Sequence, residues 1–280
     1  MNVSIKRAAI IIACISVLPL ILSVKSWKPD YSLFEKKEYV KGEYTLPYRI
    51  LWPEDMEEGK SYPLFIFLHG KGLSGNDNER QLKRGAELFL EPENRKKYPS
   101  IVIYPQAPKR SAFVNIMRNG KSAFFVGTRK LMREESNRNE MEISLSPYGE
   151  MVYDIINQLI VGNIIDTTRI YIGGVSMGGY TTYQMIAEYP DLFAAAVAMS
   201  AGASLSNVEK WAGKVPIWII HGEKDPMVPV ENSRLIVKEL EKLGITNFRY
   251  SEYEGIKHHS WEVAFEDPGF LEWVYTKSRK

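Results

Sequence analysis

The stretch RIYIGGVSMGGYTTYQMIAEYP, Arg169 to Pro190, constrains this chain more than any other part of it. It opens on an apolar run of strand type, Arg169 to Gly174, and Met177 to Glu188 carries a helical pattern closed by Tyr189 and Pro190. Only Val175 and Ser176 remain to turn the one into the other, and Gly174, Ser176 and Gly178 spell G-x-S-x-G across the reversal. So sharp a turn strains the serine backbone and brings strand and helix so close that the flanking positions must lack side chains. Gly174 and Gly178 meet that demand and Gly179 extends it. The Ser176 hydroxyl is then held out at the carboxyl end of a sheet, with a helix N-terminus behind it that favours developing negative charge.

The remaining runs supply that sheet. Tyr39 to Trp52 alternates apolar and polar residues as a strand hairpin does, and PLFIFL (Pro63 to Leu68), IVIYP (Ile101 to Pro105), AAAVAMS (Ala194 to Ser200), VPIWIIHG (Val215 to Gly222) and NFRYSEY (Asn247 to Tyr253) are short strand-like runs. Helix-length stretches fall between them at about Asn78 to Leu90, Met151 to Ile160 and Glu231 to Leu243, with Pro268 to Tyr275 as a terminal helix. This alternation predicts a mostly parallel, doubly wound α/β sheet with an antiparallel N-terminal hairpin and no internal repeat. Residues 107–147 break the rhythm: no strand is expected there, and Lys109 to Arg138 holds eight basic side chains against Glu134 and Glu135. Such an insertion is either a lid that favours acidic substrates or a solvated charged loop.

A serine hydroxyl is a weak nucleophile at neutral pH, so it needs a base, and the base needs a partner that fixes its tautomer. With this turn motif the order along the chain is serine, acid, histidine. Only His221, His258 and His259 follow Ser176. His221 precedes the strand-end carboxylate Asp225 and is expected to shape that loop; Glu223 and, beyond the histidines, Asp267 are the competing acids. Asp225, short and followed by the rigid Pro226, fits the orienting role best. The base is then His258 or His259, which chain order cannot separate. An oxyanion would be held by the N–H of Met177 and that of Lys71 or Gly72, in the LHGKG loop after PLFIFL, with His69 bracing that loop.

Before the sheet begins, Lys6 and Arg7 precede an apolar run, Ala8 to Leu22, with small residues from Ser23 to Ser26. The layout predicts a secretory signal over residues 1–26, with a membrane anchor as the alternative; the run is shorter than the roughly 20 residues a span prefers and contains Pro19. The single cysteine, Cys14, sits in a string that loosely resembles a lipoprotein cleavage box, though the apolar run continues past it. Without the segment no cysteine remains, so no disulfide is expected. Residues 27–280 are expected to form one catalytic domain, exported to the periplasm or beyond, touching a membrane only through the N-terminal segment. A formal net charge of +2 with no basic stripe argues against a nucleic-acid partner.

Together LHGKGLSGNDN, YPQAP, the G-x-S-x-G stretch, PIWIIHGEKDPMVPVENS and EGIKHHSWEVAF resemble the α/β-hydrolase superfamily from about Tyr39 onward. Within it they look like single-domain secreted esterases akin to feruloyl and acetyl-xylan esterases and polyhydroxybutyrate depolymerases, and like the prolyl oligopeptidase catalytic domain. The resemblance implies a histidine opening an H-x-S-W segment, which His258, Ser260 and Trp261 match, and so a triad of Ser176, Asp225 and His258. It implies an acyl-enzyme mechanism on carboxylic esters, small or polysaccharide-borne, with no metal or organic cofactor; neither H-E-x-x-H nor C-x-x-C appears. The chain departs from the family pattern after YPQ, where relatives often carry a cysteine and tryptophans. The rival readings are a serine peptidase of prolyl-oligopeptidase type, which usually needs a large gating domain that 280 residues leave no room for, and a non-catalytic binding protein on the same fold.

Overall fold

The computed structural model describes residues 27–118, 121–122 and 141–279. The expectations placed on residues 1–26, Cys14 included, and on the basic positions from Arg129 to Arg138 lie outside the described residues.

The strands are β1 (Glu35–Lys41), β2 (Tyr44–Leu51), β3 (Tyr62–Leu68), β4 (Ile101–Pro105), β5 (Val114–Arg118), β6 (Lys121–Ser122), β7 (Met141–Leu145), β8 (Ile165–Val175), β9 (Ala195–Met199), β10 (Ile217–Gly222) and β11 (Phe248–Tyr253). Eight of them form one sheet in the order β1-β2-β4-β3-β8-β9-β10-β11. The first three in that order pair antiparallel and every later pair is parallel. The edge strand β1 reads EKKEYVK and is almost wholly exposed, which protects its open hydrogen-bonding groups from pairing with another chain.

Both faces of the parallel strands are covered, so their residues are apolar without alternation. Along β3, Leu64, Ile66 and Leu68 point into one core and Phe65 and Phe67 into the other. Helices α1 (Ala86–Leu90), α2 (Pro92–Lys97), α3 (Pro147–Val161), α4 (Met177–Glu188), α5 (Val208–Trp211), α6 (Glu231–Lys242), α7 (Ser260–Glu266) and α8 (Phe270–Tyr275) provide the cover. Buried residues of α3 to α6 join the first core, and those of α1, α7 and α8 the second.

Two expectations are corrected. The helix expected over Asn78 to Leu90 is a 3-10 turn (Arg80–Lys83) followed by α1, because Gly85 between them adopts φ 76°. A Cβ at Gly85 would meet the Phe265 ring at 2.7 Å, so the break is where the second core closes. The insertion at 107–147 does contain strands: β5, β6 and β7 form a small antiparallel sheet in which Val114 faces Leu145 and Ile116 faces Ile143. Met141, Ile143 and Leu145 alternate with exposed residues and pack on the first core, a period-two signal too short to stand out among the basic residues. Ser146 then caps α3, accepting the Gly149 N–H, and Gly149 lies where a Cβ would be 2.2 Å from the Phe113 carbonyl oxygen.

If the small sheet is part of the core, Ile116→Ala should lower stability by about 2–5 kcal/mol in a denaturant melt. A solvated loop at that position would give a change within about 0.5 kcal/mol.

Candidate active site

In a parallel sheet all carboxyl ends open on one edge, so the loops after β3, β8, β10 and β11 converge. The turn after β8 is the tightest. Ser176 adopts φ 55° and ψ −115°, a conformation costly for a side-chain-bearing residue. Its N–H donates to the Met199 carbonyl at 2.8 Å, and its carbonyl accepts the Tyr180 N–H at 2.9 Å, so both neighbouring elements hold the strain. A Cβ at Gly178 would sit 1.9 Å from the Leu68 oxygen, and one at Gly174 would sit 2.4 Å from the Gly178 carbonyl. The glycines of the motif are thus required by direct backbone contact. Gly179 is constrained as well, at 2.6 Å from the Ala201 Cβ.

The Asp225 carboxylate is buried in the loop after β10. Oδ1 accepts the N–H groups of Met227 at 2.8 Å and Val228 at 3.0 Å, and Oδ2 accepts Nδ1–H of His258 at 2.7 Å. Burial pushes this carboxyl up, but the hydrogen bonds from His221 and His258, the His258 charge and the Val228 amide outweigh it and hold it well below the usual carboxylate range. Of the competing acids, Glu223 accepts the Gly255 N–H at 2.8 Å and closes that turn, while Asp267 takes the Gly269 N–H and pairs with Arg249 at the foot of α8.

His258 is partly buried, and its Nδ1 bond to Asp225 leaves Nε2 for the cleft. His259 is exposed and lies 5.0 Å from the Trp261 ring. The two loops are clamped by backbone: a Cβ at Gly222 would be 2.1 Å from the Lys257 oxygen, and the Lys224 N–H donates to the Ile256 carbonyl at 2.8 Å. Two residues outside the expected set complete the clamp. Ser200, at φ 49°, donates to the His258 carbonyl at 3.2 Å and lies 2.8 Å from the Ser260 hydroxyl. Ser260 was visible in H-x-S-W without an evident task; Ser200 had no sequence signal, since nothing local predicts its positive φ.

The two other histidines are braces. His221 donates Nε2–H to the Val228 carbonyl at 3.0 Å, lies 3.4 Å from Asp225 Oδ2, and meets the Ser233 hydroxyl at 2.6 Å through Nδ1. His69 donates Nδ1–H to the Gly70 carbonyl at 2.8 Å and accepts the Ala107 N–H at Nε2, 3.0 Å away. Burial pushes the His69 imidazole down to about 4, with Lys71 adding to the fall against the Gly70 bond, so it is neutral.

Lys71 and Gly72 open a 3-10 turn, Lys71–Leu73, in which the Leu73 N–H donates to the Gly70 carbonyl at 3.0 Å and the Ser74 N–H to the Lys71 carbonyl at 3.2 Å. The Lys71 ammonium donates to the Ser111 carbonyl. Met177 is the first residue of α4. Lys71, Gly72, Ser176 and His258 line one cleft of about 220 Å³, together with Arg84 and Trp261. Two larger cavities, of about 470 and 570 Å³, hold none of Ser176, Asp225, the histidine pair or Lys71 and Gly72; Asp267 lines the smaller of them, away from this cleft. Lys109 and Arg110 of the insertion are exposed and do not line the cleft. Among the described residues no group of three His, Cys, Asp or Glu is placed to hold a metal ion, and no helix is long and apolar enough to cross a membrane.

A mostly parallel eight-stranded sheet, antiparallel at its N-terminal edge and turning at Ser176 after β8, defines the α/β-hydrolase class. Residues 55–270 match the Phospholipase/Carboxylesterase family, and the chain belongs to it. A solved thermostable esterase is 36% identical, with TM-score 0.75 over 89% of this chain and 64% of its own. A probable carboxylesterase, SOBER1-like, of Arabidopsis thaliana is 28% identical over 74% of this chain and 75% of its own. A bifunctional acetylxylan esterase/xylanase of Neocallimastix patriciarum is 34% identical over 79 residues, 28% of this chain and 12% of that protein. The chain therefore spans less than two thirds of the length of both the thermostable esterase and the bifunctional enzyme. A ferulic acid esterase of Anaeromyces mucronatus, 17% identical with TM-score 0.62 over 90% of this chain and 92% of its own, shares the fold.

The neutral His69 carries a pH signature. Its pKa falls from 6.5 in the unfolded chain to about 4 when folded, so between these values only the unfolded state takes up the proton. Its stabilising share is complete above pH 6.5 and is lost as pH falls toward 4, roughly 3 kcal/mol in all. Melting points between pH 7.5 and 4.5 should fall more steeply for the parent protein than for His69→Gln; parallel curves would contradict a neutral buried imidazole.

Proposed function

We propose that this chain is a serine hydrolase of carboxylic esters, with Ser176 as nucleophile, His258 as base and Asp225 as the group that orients it. The observation that carries the reading is the strained Ser176 turn sharing a cleft with a histidine whose Nδ1 is 2.7 Å from a buried, ionised carboxylate. Nε2 of His258 takes the Ser176 hydroxyl proton as Oγ attacks the ester carbonyl. The carbonyl oxygen becomes an oxyanion, held by the N–H groups of Met177 and of Lys71 or Gly72. Collapse expels the alcohol, protonated by His258, and leaves an acyl-serine that water hydrolyses by the same steps. Asp225 fixes the tautomer that leaves Nε2 able to accept a proton, and stabilises the imidazolium once it forms.

Family membership and the 36% identical esterase support an ester as the substrate class. The similarity to an acetylxylan esterase and the fold shared with a ferulic acid esterase support an acyl decoration on a polysaccharide as the natural ester. The N-terminal run from Lys6 to Leu22 supports export.

Ser176→Ala should abolish turnover of p-nitrophenyl acetate and methyl ferulate and prevent labelling by a fluorophosphonate. Parent protein that neither releases product nor takes the label would refute the enzyme reading. Asp225→Asn should cost kcat about four orders of magnitude, as the same change does in the Ser-His-Asp template. Acylation should vanish in His258→Ala and largely survive in His259→Ala; the reverse result would move the base by one residue.

A further inference from the structure

The cleft beside Ser176 is unusually one-sided in charge. Among the described residues that line it, Lys71 and Arg84 are cations, His258 and His259 are imidazoles, and none is an aspartate or glutamate. Lys71 is engaged by the Ser111 carbonyl. Arg84 is different: its guanidinium carbon lies over the Trp261 ring, 4.2 Å from the centroid, and among the described residues no carboxylate or carbonyl takes a hydrogen bond or ion pair from it. Glu262 acts on it only as a more distant charge. The side chain is half-buried, and burial depresses its pKa rather than a partner raising it. A guanidinium carries five donors in a planar fork, and stacking on an indole satisfies none of them.

The backbone that presents Arg84 is rigid. Gly85, immediately after it, is held at φ 76° with the Phe265 ring 2.7 Å from where a Cβ would stand. Trp261 belongs to α7, one turn from His258, so the Arg84–Trp261 stack fixes the cation beside the candidate base.

We propose that Arg84 is a specificity-determining residue that binds the anionic group of an ester carrying a carboxylate near its scissile bond. The fork matches a carboxylate bidentately, and such a pair is stronger than one between neutral groups. At about 220 Å³ the cleft is smaller than a drug-sized pocket, so the carboxylate must lie within a few atoms of the reacting carbonyl. This inference rests on the esterase reading for its chemistry, and it places a preference for acidic substrates on a residue before α1, independently of the basic insertion.

The test compares 4-acetoxybenzoate with its methyl ester, and monoethyl adipate with diethyl adipate, so that the carboxylate is offered on the alcohol and on the acyl side. For at least one pair, Arg84→Gln should lower the ratio of kcat/KM for the charged over the neutral member by about 10-fold to 100-fold, the loss of one hydrogen bond to a charged group. The loss should sit mainly in KM, and Arg84→Lys should restore part of the ratio. Calorimetry on Ser176→Ala reads the same site without turnover. Tighter binding of 4-acetoxybenzoate or monoethyl adipate than of the neutral partner, lost when Arg84→Gln is added, is expected. Binding preference without Ser176-dependent turnover would refute the esterase reading and leave the anion site standing. Turnover with an unchanged ratio in both pairs, or with an equal fall for charged and neutral esters, would overturn the anion site.

Discussion

The contact between the Gly178 backbone and the Leu68 carbonyl holds the rest of the site together. With 1.9 Å between that oxygen and a hypothetical Cβ, α4 approaches β3 as closely as two backbones can, and the connection from β8 has no slack left. Ser176 pays for this with a positive φ, and the buried packing around Met177 and Tyr180 holds it there. The same strain that weakens the fold locally holds the Ser176 side chain in one orientation, which is what the proposed nucleophilic role requires.

A second close approach does the corresponding work for the acid and the histidine. Gly222 lets the segment before His258 cross the end of β10, and its carbonyls then take the amides of the Asp225 loop. Asp225 is buried yet ionised because four donors surround it, two amides and two imidazoles. His221 and His69, which look like catalytic candidates by residue type, are consumed in this bracing. Both ring nitrogens of each are engaged, and a histidine with no free nitrogen has nothing to offer a substrate.

Most of the sheet was legible because parallel strands buried on both faces appear as uninterrupted apolar runs, and PLFIFL, IVIYP and PIWIIHG are such runs. Legibility failed where local pattern and tertiary demand diverge. A continuous helical signal from Asn78 to Leu90 is interrupted at Gly85 because Phe265, some 180 residues away in sequence, occupies the space. The strands β5 and β7 are five residues each and pair across 22 intervening positions, so neither announces the other. The helix α7 follows the histidines so tightly that its seven residues look like the tail of a loop.

By itself the sequence determined the fold class and the spacing of Ser176, Asp225 and the histidine pair, since glycine-demanding turns and strand-end loops leave marks in residue type. It also singled out Asp225 over Glu223 as the carboxylate for the histidine loop, because a short carboxylate before proline sits in a strand-end loop. Tertiary structure alone decided that Asp225 Oδ2 meets His258 and that His259 faces solvent. It alone recruited Ser200 and Ser260 to hold the histidine loop, and set Arg84 over Trp261 in the cleft. The reason is geometric: neighbours in sequence point in different directions, and which of them meets a partner depends on how four distant strand ends are stacked.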